Sequence, residues 1–207
     1  MSSIKYFNKV AKEWDSMRQV FFSDLIREKA LKIANVKYGE KAADIGAGTG
    51  FMTKILLEKN LSVIAVDQSA EMISILKRKY EGNNNTEFVL SNAEQMDITD
   101  NYVEYVFANM YLHHVEDPPA AIKEMTRILK PGGKLIITDL DEHNHEFLKT
   151  EQNDRWLGFK REAINKWFSL ANLEAIEVKC LDENCCANSN TTNGRAEISI
   201  FVASGKK

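Results

Sequence analysis

The chain has 207 residues, a length at which one domain can bury a substantial core. With 44% apolar and 28% charged residues it is neither disordered nor collagen-like, and a net charge of −3 argues against a large nucleic-acid-binding face. Its three cysteines do not form a disulfide framework, and there is neither a secretory leader nor a run of about 18 apolar residues. We therefore expect a cytoplasmic protein with no nucleic-acid partner and no membrane partner; a homodimer is left open.

Two amphipathic helical stretches come first, at residues 4–14 and 21–35. Short apolar runs then alternate with amphipathic segments. The runs, which predict strands, are residues 42–45, 63–66, 87–90, 103–108 and 134–139. The segments between them, which predict helices, are residues 52–59, 70–80 and 120–129. Strands separated by helices indicate right-handed crossovers and an α/β fold whose largely parallel sheet is covered on both faces.

The C-terminal third has a different pattern. A predicted helix at residues 161–170 is followed by an apolar run at 173–180, a polar loop at 181–194 and a last apolar run at 196–203. Because no helix separates the last two runs, we expect them to pair antiparallel as a hairpin. No repeat or linker divides the chain, so a single domain over residues 1–207 is predicted.

A glycine-rich turn, Asp-Ile-Gly-Ala-Gly-Thr-Gly, joins the first predicted strand to a helix at residues 44–50. Glycine lets the chain turn tightly and lets backbone approach a ligand closely. Asp67 ends the next strand, where a carboxylate can accept the ribose hydroxyls of an adenosine cofactor. A nicotinamide or flavin would suit the same topology, but the Asp44 carboxylate would repel its pyrophosphate. The same carboxylate favours the ammonium and sulfonium of S-adenosylmethionine.

Residues 44–50 resemble the first motif of the class I S-adenosylmethionine-dependent methyltransferases. Further segments resemble later motifs of that family in the same order, at residues 65–72, 91–94, 109–115 and 129–135. The resemblance, strongest to small-molecule UbiE-like members, covers residues 41–139. It implies a Rossmann-like, doubly wound sheet of seven strands, mostly parallel with a C-terminal antiparallel strand. It also implies S-adenosylmethionine as the cofactor and a small molecule as the methyl acceptor.

Carried over to this sequence, the resemblance implies a set of cofactor-binding residues. From the methionine end to the adenine, these are Asp44, Gly46, Ala47, Gly48, Asn109, Asp67, Gln68, Met72, Asn92 and Ala93. Family members often carry Asp at the adenine position where this chain has Asn92. An Asn side-chain oxygen can still accept a hydrogen bond from the adenine amino group, so we expect binding to persist.

The N-terminal stretch resembles the lid helix of small-molecule methyltransferases, at residues 6–8 and 14–15. We expect Tyr6 and Trp14 to cover the cofactor and exclude water, although aromatic residues at helical spacing also form core. The predicted domain thus divides into a helical lid at 1–38, a cofactor-binding core at 39–140, and a C-terminal helix with a hairpin at 141–207.

His113 and His114 follow the fourth predicted strand and are the candidate catalytic bases. The carboxyl ends of parallel strands face the ligand crevice, so at least one histidine is expected near the chemistry. The alternative is that hydrogen bonds tie both rings into the loop. Methyl transfer from a sulfonium is an in-line displacement with an activated leaving group, so a base is needed only where the acceptor must lose a proton.

A second polar cluster, formed by Asp139, Asp141, His143 and His145, follows the fifth strand. Oxygen and imidazole donors of this density occur in metal sites. Clusters on loops are more often solvated surface, and no metal is predicted.

Cys180, Cys185 and Cys186 are placed at the end of the sixth strand and in the loop after it. If that strand runs parallel to the core strands, all three sulfurs lie on the acceptor side, where thiolates bind thiophilic species. This placement resembles arsenite methyltransferases. The tail, at residues 156–159 and 200–205, resembles methyltransferases associated with ArsR-type regulators. Methylation of a metalloid such as arsenite is therefore an alternative to methylation of an ordinary metabolite or quinone.

Two further classes of function are weighed. A regulatory module that binds S-adenosylmethionine without catalysis would keep the same motifs. An RNA or protein methyltransferase is disfavoured because no basic groove is indicated. Asp117-Pro118-Pro119 is followed by Ala120 instead of an aromatic residue, and it is typical of a helix start.

Overall fold

The computed structural model describes residues 3–207, which fold around one seven-stranded sheet. The strands are β1 (Lys41–Ile45), β2 (Ser62–Asp67), β3 (Thr86–Leu90), β4 (Val103–Asn109), β5 (Leu129–Leu140), β6 (Glu174–Asn188) and β7 (Arg195–Lys206). The helices are α1 (Ser3–Val10), α2 (Trp14–Phe21), α3 (Leu25–Ala34), α4 (Phe51–Glu58), α5 (Ala70–Lys79), α6 (Pro118–Ile128), α7 (Phe147–Glu151) and α8 (Arg161–Leu170). A short 3₁₀ turn, Leu112–His114, follows β4.

The strand order is β3-β2-β1-β4-β5-β7-β6. Strands β1 to β5 all run parallel to one another. Strand β7 runs in the opposite direction and pairs antiparallel with both β5 and β6. Strand β6 therefore runs in the same direction as the core strands. The predicted fold class and the predicted C-terminal hairpin are both confirmed. Strand β2 lies on one side of β1 and strand β4 lies on the other. The chain connections therefore diverge at β1, and the carboxyl ends of these strands border a crevice suited to a ligand.

Apolar side chains cover both faces of the sheet. On one face α6 and α8 contribute buried residues such as Ile122 and Phe168, and on the other α3 and α4 contribute Ile26 and Leu56. The central strands are buried on both faces and therefore consist of nearly continuous apolar residues, as expected for a parallel sheet. Within residues 3–207, no helix has the length and apolar character that crossing a membrane requires.

The N-terminal helices differ from the prediction. The stretch predicted as one helix over residues 4–14 ends at Val10, and a second helix begins at Trp14. Ala11 is buried in the turn between them, and the rings of Phe7 and Trp14 lie 5.3 Å apart across it. Tertiary packing of these aromatic residues therefore overrides a helical periodicity that continues through the turn.

The polar loop predicted at residues 181–194 is also wrong. Most of it belongs to β6, which pairs with β7 again from Asn184 to Asn188 after an irregularity beyond Cys180. Leu181, Cys185 and Ala187 are buried, whereas Asp182, Asn184 and Asn188 are exposed and polar. This polar outer face hid the strand in the sequence.

Candidate active site

The glycine-rich turn lies between β1 and α4, at the carboxyl edge of the sheet. Gly46 has φ +70° and Gly48 has φ +55°, a left-handed conformation that side chains disfavour. A Cβ atom at Gly46 would lie 2.2 Å from Cδ2 of Tyr111. Glycine is therefore required at this position by both conformation and space.

Asp67, at the end of β2, is hydrogen-bonded to this turn. The Gly48 N–H donates to Oδ2 at 2.8 Å, and the Ser69 N–H donates to Oδ1 at 2.8 Å. Burial raises the pKa of Asp67 to about 6, against the lowering effect of these backbone hydrogen bonds. Each oxygen keeps a lone pair, so the carboxylate can also accept from two ligand hydroxyls.

Asp44 does not face the cavity beside the turn. It is 2% exposed, and its Oδ2 accepts a hydrogen bond from Thr53 Oγ1 of α4 at 2.6 Å. Burial raises its pKa to about 7, and the nearby Asp67 carboxylate contributes in the same direction. The predicted direct contact with a ligand is therefore replaced by a buried position beneath the turn, because this side chain of β1 points towards α4.

A cavity, here called the cofactor cavity, lies above the turn. Eight of the predicted cofactor-binding residues line it: Trp14, Gly46, Ala47, Gly48, Asp67, Gln68, Met72 and Asn109. Asn92 lines an adjoining groove together with Gln68. Ala93 is fully buried in the core and lines neither space.

The first two helices cover the cofactor cavity from the N-terminal side. Trp14 lines it, and its Nε1 lies 3.3 Å from the position of a Cβ at Gly48. The Asp15 carboxylate accepts a hydrogen bond from Thr49, which ties α2 to the glycine-rich turn. Tyr6 lies outside the cavity and donates to Gln152 Oε1 at 2.8 Å. Of the two predicted lid aromatics, only Trp14 reaches the cofactor cavity.

Arg18 was missed by the sequence reasoning. Its side chain is 9% exposed and lines the cofactor cavity, with the guanidinium carbon 4.1 Å from the centre of the Phe51 ring. One guanidinium nitrogen, Nη2, lies 3.2 Å from Asp24, but Nη1 has no hydrogen-bond partner within residues 3–207. No pattern in the sequence distinguishes this arginine from the other basic residues of the N-terminal helices.

A second cavity, here called the acceptor chamber, adjoins the first. Both cavities are bordered by Trp14, Phe22, Met110 and His114. Most of the remaining chamber wall is apolar, including Phe21, Leu140, Leu148 and Ala187. Its polar end is formed by His113, His114, Gln152 and Asp154.

The two histidines occupy different environments at this polar end. His113 Nδ1 lies 2.7 Å from Asp139 Oδ1, and Nε2 lies 3.8 Å from Asp154 Oδ1. Burial alone would lower the pKa of His113, but the Asp139 and Asp154 carboxylates outweigh it and raise the pKa to about 9. Burial and the charge of His113 hold the pKa of His114 well below its usual value.

The three cysteines do not converge on the chamber, contrary to expectation. Cys185 is buried and lines it, as the strand direction predicted. Cys186 follows directly on the same strand, so its side chain points to the opposite face of the sheet. Cys180 lies before the irregularity in β6 and does not line the chamber. A pair of thiols closing on one atom inside the chamber is therefore not formed.

Residues 43–137 match a family of methyltransferase domains. Residues 43–137 belong to the class I S-adenosylmethionine-dependent methyltransferases. The predicted family and cofactor are thereby confirmed. The region that matches contains the glycine-rich turn, Asp67 and both histidines of the chamber.

Similar proteins include methyltransferases with different acceptors. The chain is 28% identical over 152 residues to the ubiquinone/menaquinone biosynthesis C-methyltransferase UbiE of Shewanella sp. (strain W3-18-1), covering 69% of this chain and 61% of that protein. It is 25% identical over 183 residues to the malonyl-[acyl-carrier protein] O-methyltransferase of Marinomonas sp. (strain MWYL1), covering 85% and 62%. The chain thus spans about three fifths of the length of these relatives.

Among solved structures, phosphoethanolamine N-methyltransferase 2 of Haemonchus contortus in complex with S-adenosyl-L-methionine superposes with a TM-score of 0.72. The match is 19% identical and covers 87% of this chain and 52% of that chain. At this identity the likeness shows the shared fold alone.

The side chains around the cofactor cavity fit S-adenosylmethionine. The unpaired Nη1 of Arg18 can donate to a carboxylate, and Asp67 can accept from ribose hydroxyls. Gly46 and Gly48 border the cavity with backbone that carries no side chain. The cofactor cavity therefore has complementary groups for the amino-acid end and the sugar of this cofactor.

Proposed function

We propose that this protein transfers a methyl group from S-adenosylmethionine to a small, largely apolar acceptor bound in the acceptor chamber. The observation that carries the proposal is the shared border between the chamber and the cofactor cavity, formed by Trp14, Phe22, Met110 and His114. An acceptor in the chamber would face the cofactor across this border. A regulatory module without catalysis has no need of a second cavity there.

Each group around the cofactor cavity has a proposed role. Asp67 accepts from the ribose hydroxyls, and Arg18 pairs with the carboxylate of the methionine moiety. Gln68 and Met72 lie beside the adenine, with Asn92 further along that side in the adjoining groove. Asn109, whose Oδ1 accepts a hydrogen bond from Thr138 at 2.7 Å, lies on the side of the sulfonium. Asp44 supports the turn from beneath, where its Oδ2 accepts the hydrogen bond from Thr53.

The bound cofactor supplies a methyl group on a sulfonium, which is already activated for displacement. The protein therefore has to align the acceptor with the methyl carbon and keep water out. The rings of Phe21 and Phe22, together with Leu148, provide a dry wall for an apolar acceptor body. The polar end, at His113, His114 and Asp154, provides the place where the acceptor's polar group would lie.

The chamber can be tested with a panel of acceptors that differ in chemistry. Ala187 is 4% exposed and lines the chamber, so Ala187→Phe would fill it, whereas Asn188→Phe places the same ring on the outward face of β6. Labelled S-adenosylmethionine is incubated with phenols, hydroquinones, thiols, amines, and arsenite with glutathione. Calorimetry with S-adenosylhomocysteine reports the cofactor site of each variant.

We expect Ala187→Phe to lower kcat/KM for the accepted compound at least about tenfold and to leave cofactor affinity within about twofold. Asn188→Phe should leave both unchanged. Equal turnover by Ala187→Phe and the wild type would place the acceptor elsewhere. Cofactor binding without turnover of any compound would overturn the proposal in favour of a non-catalytic module.

A further inference from the structure

The polar end of the acceptor chamber brings together three potential metal ligands from distant parts of the chain. His113 Nε2, His114 Nδ1 and Asp154 Oδ1 all lie within 4.8 Å of one another, and all three residues are buried. The His113 and His114 nitrogens are 3.8 Å and 4.0 Å from the Asp154 oxygen. These contacts are too long for hydrogen bonds. His114 Nδ1 also lies 3.4 Å from the Asn153 carbonyl oxygen, a contact that a metal ion would replace.

Asp154 contributes the carboxylate of this group, at 3.8 Å from His113 Nε2 and 4.0 Å from His114 Nδ1. Its side chain is 5% exposed and lines the chamber, yet its carboxylate accepts no hydrogen bond from any residue in 3–207. The chamber lining includes no lysine or arginine, and the nearest cationic partner of the carboxylate is the His113 imidazole, whose Nε2 is 3.8 Å away. Burying a carboxylate without a full complement of partners is costly, and such groups in proteins are paired or bind metals.

Asp139 orients one of the proposed ligands. Its Oδ1 lies 2.7 Å from His113 Nδ1, and the same oxygen accepts from the Leu140 N–H at 2.7 Å. A carboxylate that holds one imidazole nitrogen fixes the ring so that the other nitrogen faces the metal, an arrangement common behind zinc-bound histidines. His113 Nε2 thereby points towards Asp154.

The backbone holds the two ligand-bearing segments together. The N–H groups of Arg155 and Trp156 both donate to the His113 carbonyl at 3.0 Å, and the Trp156 indole N–H donates to the Val115 carbonyl at 2.9 Å. The segment that carries Asp154 is thus clamped onto the 3₁₀ turn that carries both histidines. Ligand positions set by such bonds do not depend on flexible loops.

We propose that His113 Nε2, His114 Nδ1 and Asp154 bind one divalent ion of the zinc class, with an open coordination position facing the acceptor chamber. Two imidazoles and one carboxylate suit Zn²⁺, and three protein ligands with an open position are typical of catalytic zinc. Metal–ligand bonds of about 2.0–2.2 Å place the donors of a tetrahedral ion about 3.4 Å apart. The two distances to Asp154, 3.8 Å and 4.0 Å, therefore need to close by roughly half an ångström. The separation of the two nitrogens, which is at most 4.8 Å, needs to close by up to about 1.4 Å.

The second polar cluster of the sequence supplies Asp139, which orients His113, but its other members, Asp141, His143 and His145, are not part of this site. The Asp141 carboxylate is engaged by Arg161 and Ser199, which leaves it unavailable to a cation. His143 Nδ1 accepts from the His145 N–H at 3.2 Å, and neither ring belongs to the group of three converging ligands. The prediction that no metal binds was based on this cluster, and it did not consider Asp154.

The role of the ion rests on the proposed function, although its binding does not. An acceptor hydroxyl or thiol bound at the open position would lose its proton to solvent at a lower pH than in water. Its oxygen or sulfur then forms the bond to the methyl carbon as the methyl–sulfur bond of the cofactor breaks, leaving S-adenosylhomocysteine. The ion would thus select acceptors with an apolar body and one acidic O–H or S–H group.

The test is metal binding by the full chain after removal of bound ions with a chelator. Zn²⁺ is titrated by calorimetry, and Co²⁺ is titrated by its visible absorption, which reports coordination geometry. We expect one ion per chain, and a loss of affinity of at least about 100-fold in Asp154→Asn and in His113→Gln. Asp139→Asn, which acts only through His113, should lose about 10–100-fold. His145→Gln removes a histidine outside the site and serves as the matched control.

Calorimetry with S-adenosylhomocysteine on every variant distinguishes loss of the metal site from loss of the fold or of the cofactor site. A wild-type chain that binds no ion overturns the inference, as does a His145→Gln variant that loses as much affinity as Asp154→Asn. A thiolate-to-cobalt band that disappears in Cys180→Ser/Cys186→Ser would place the ion on those cysteines and also overturn it. None of these readouts needs methyl transfer, so the proposed function can fail independently.

Discussion

Arg18 offers the sharpest test of how the cofactor is held. Its guanidinium is stacked on Phe51 and partly paired with Asp24, yet Nη1 is buried in the cofactor cavity without a partner in residues 3–207. Replacement by methionine keeps much of the apolar stem against the ring and removes only the charge and its donors. We expect Arg18→Met to weaken the binding of S-adenosylmethionine because its carboxylate loses a charged hydrogen-bond donor.

The size of the effect follows from one charge-assisted hydrogen bond in a nearly dry site. Such a bond contributes about 1.5–3 kcal/mol. A value of about 2 kcal/mol corresponds to a roughly 30-fold increase in Kd. Arg27 is a matched control, because it also stacks on the Phe51 ring, at 4.8 Å, and also pairs with Asp24, but it does not line the cavity.

The assay is calorimetry with two ligands, S-adenosylmethionine and its decarboxylated analogue. The ratio of the Kd for the decarboxylated analogue to the Kd for S-adenosylmethionine should be about 30-fold larger in the wild type than in Arg18→Met. Arg27→Met should keep the preference of the wild type. If Arg18→Met weakens both ligands equally, the arginine supports the structure of the lid and does not read the carboxylate.

Two further predictions concern the same cavity. Burial raises the pKa of Asp67 to about 6, and ribose hydroxyls bind its ionised form. Cofactor affinity should therefore be at its maximum above pH 7 and should fall about tenfold per pH unit well below pH 6. Constant affinity between pH 5 and 8, measured by calorimetry, would show that Asp67 does not titrate on binding. Gly46→Ala combines a positive φ with a clash against Tyr111, so it should lower the free energy of unfolding by about 3 kcal/mol. For a chain of this length that corresponds to a fall in Tm of roughly 6–12 °C. Gly39→Ala, with φ +78° and nothing within 4 Å, should cost much less, and equal losses in the two variants would refute the clash.

The parts of the site that lie within one motif could be predicted from the sequence. The glycine-rich turn and Asp67 are local requirements: a chain that turns tightly against a ligand needs glycine, and the acid at the next strand end follows from the crossover topology. The alternation of strands and helices likewise predicted the doubly wound sheet, because a parallel sheet requires crossovers and leaves its strands buried on both faces. These inferences needed no contact between distant residues.

Tertiary structure decided the rest. Arg18 became a cofactor-site residue only when the turn after α1 brought α2 over the carboxyl edge of the sheet, and Asp44 was moved out of the cavity by its bond to Thr53. Asp154 lies forty residues beyond His114 and meets it through backbone hydrogen bonds to the His113 carbonyl. Such encounters depend on where whole elements pack, and no local periodicity or propensity encodes them.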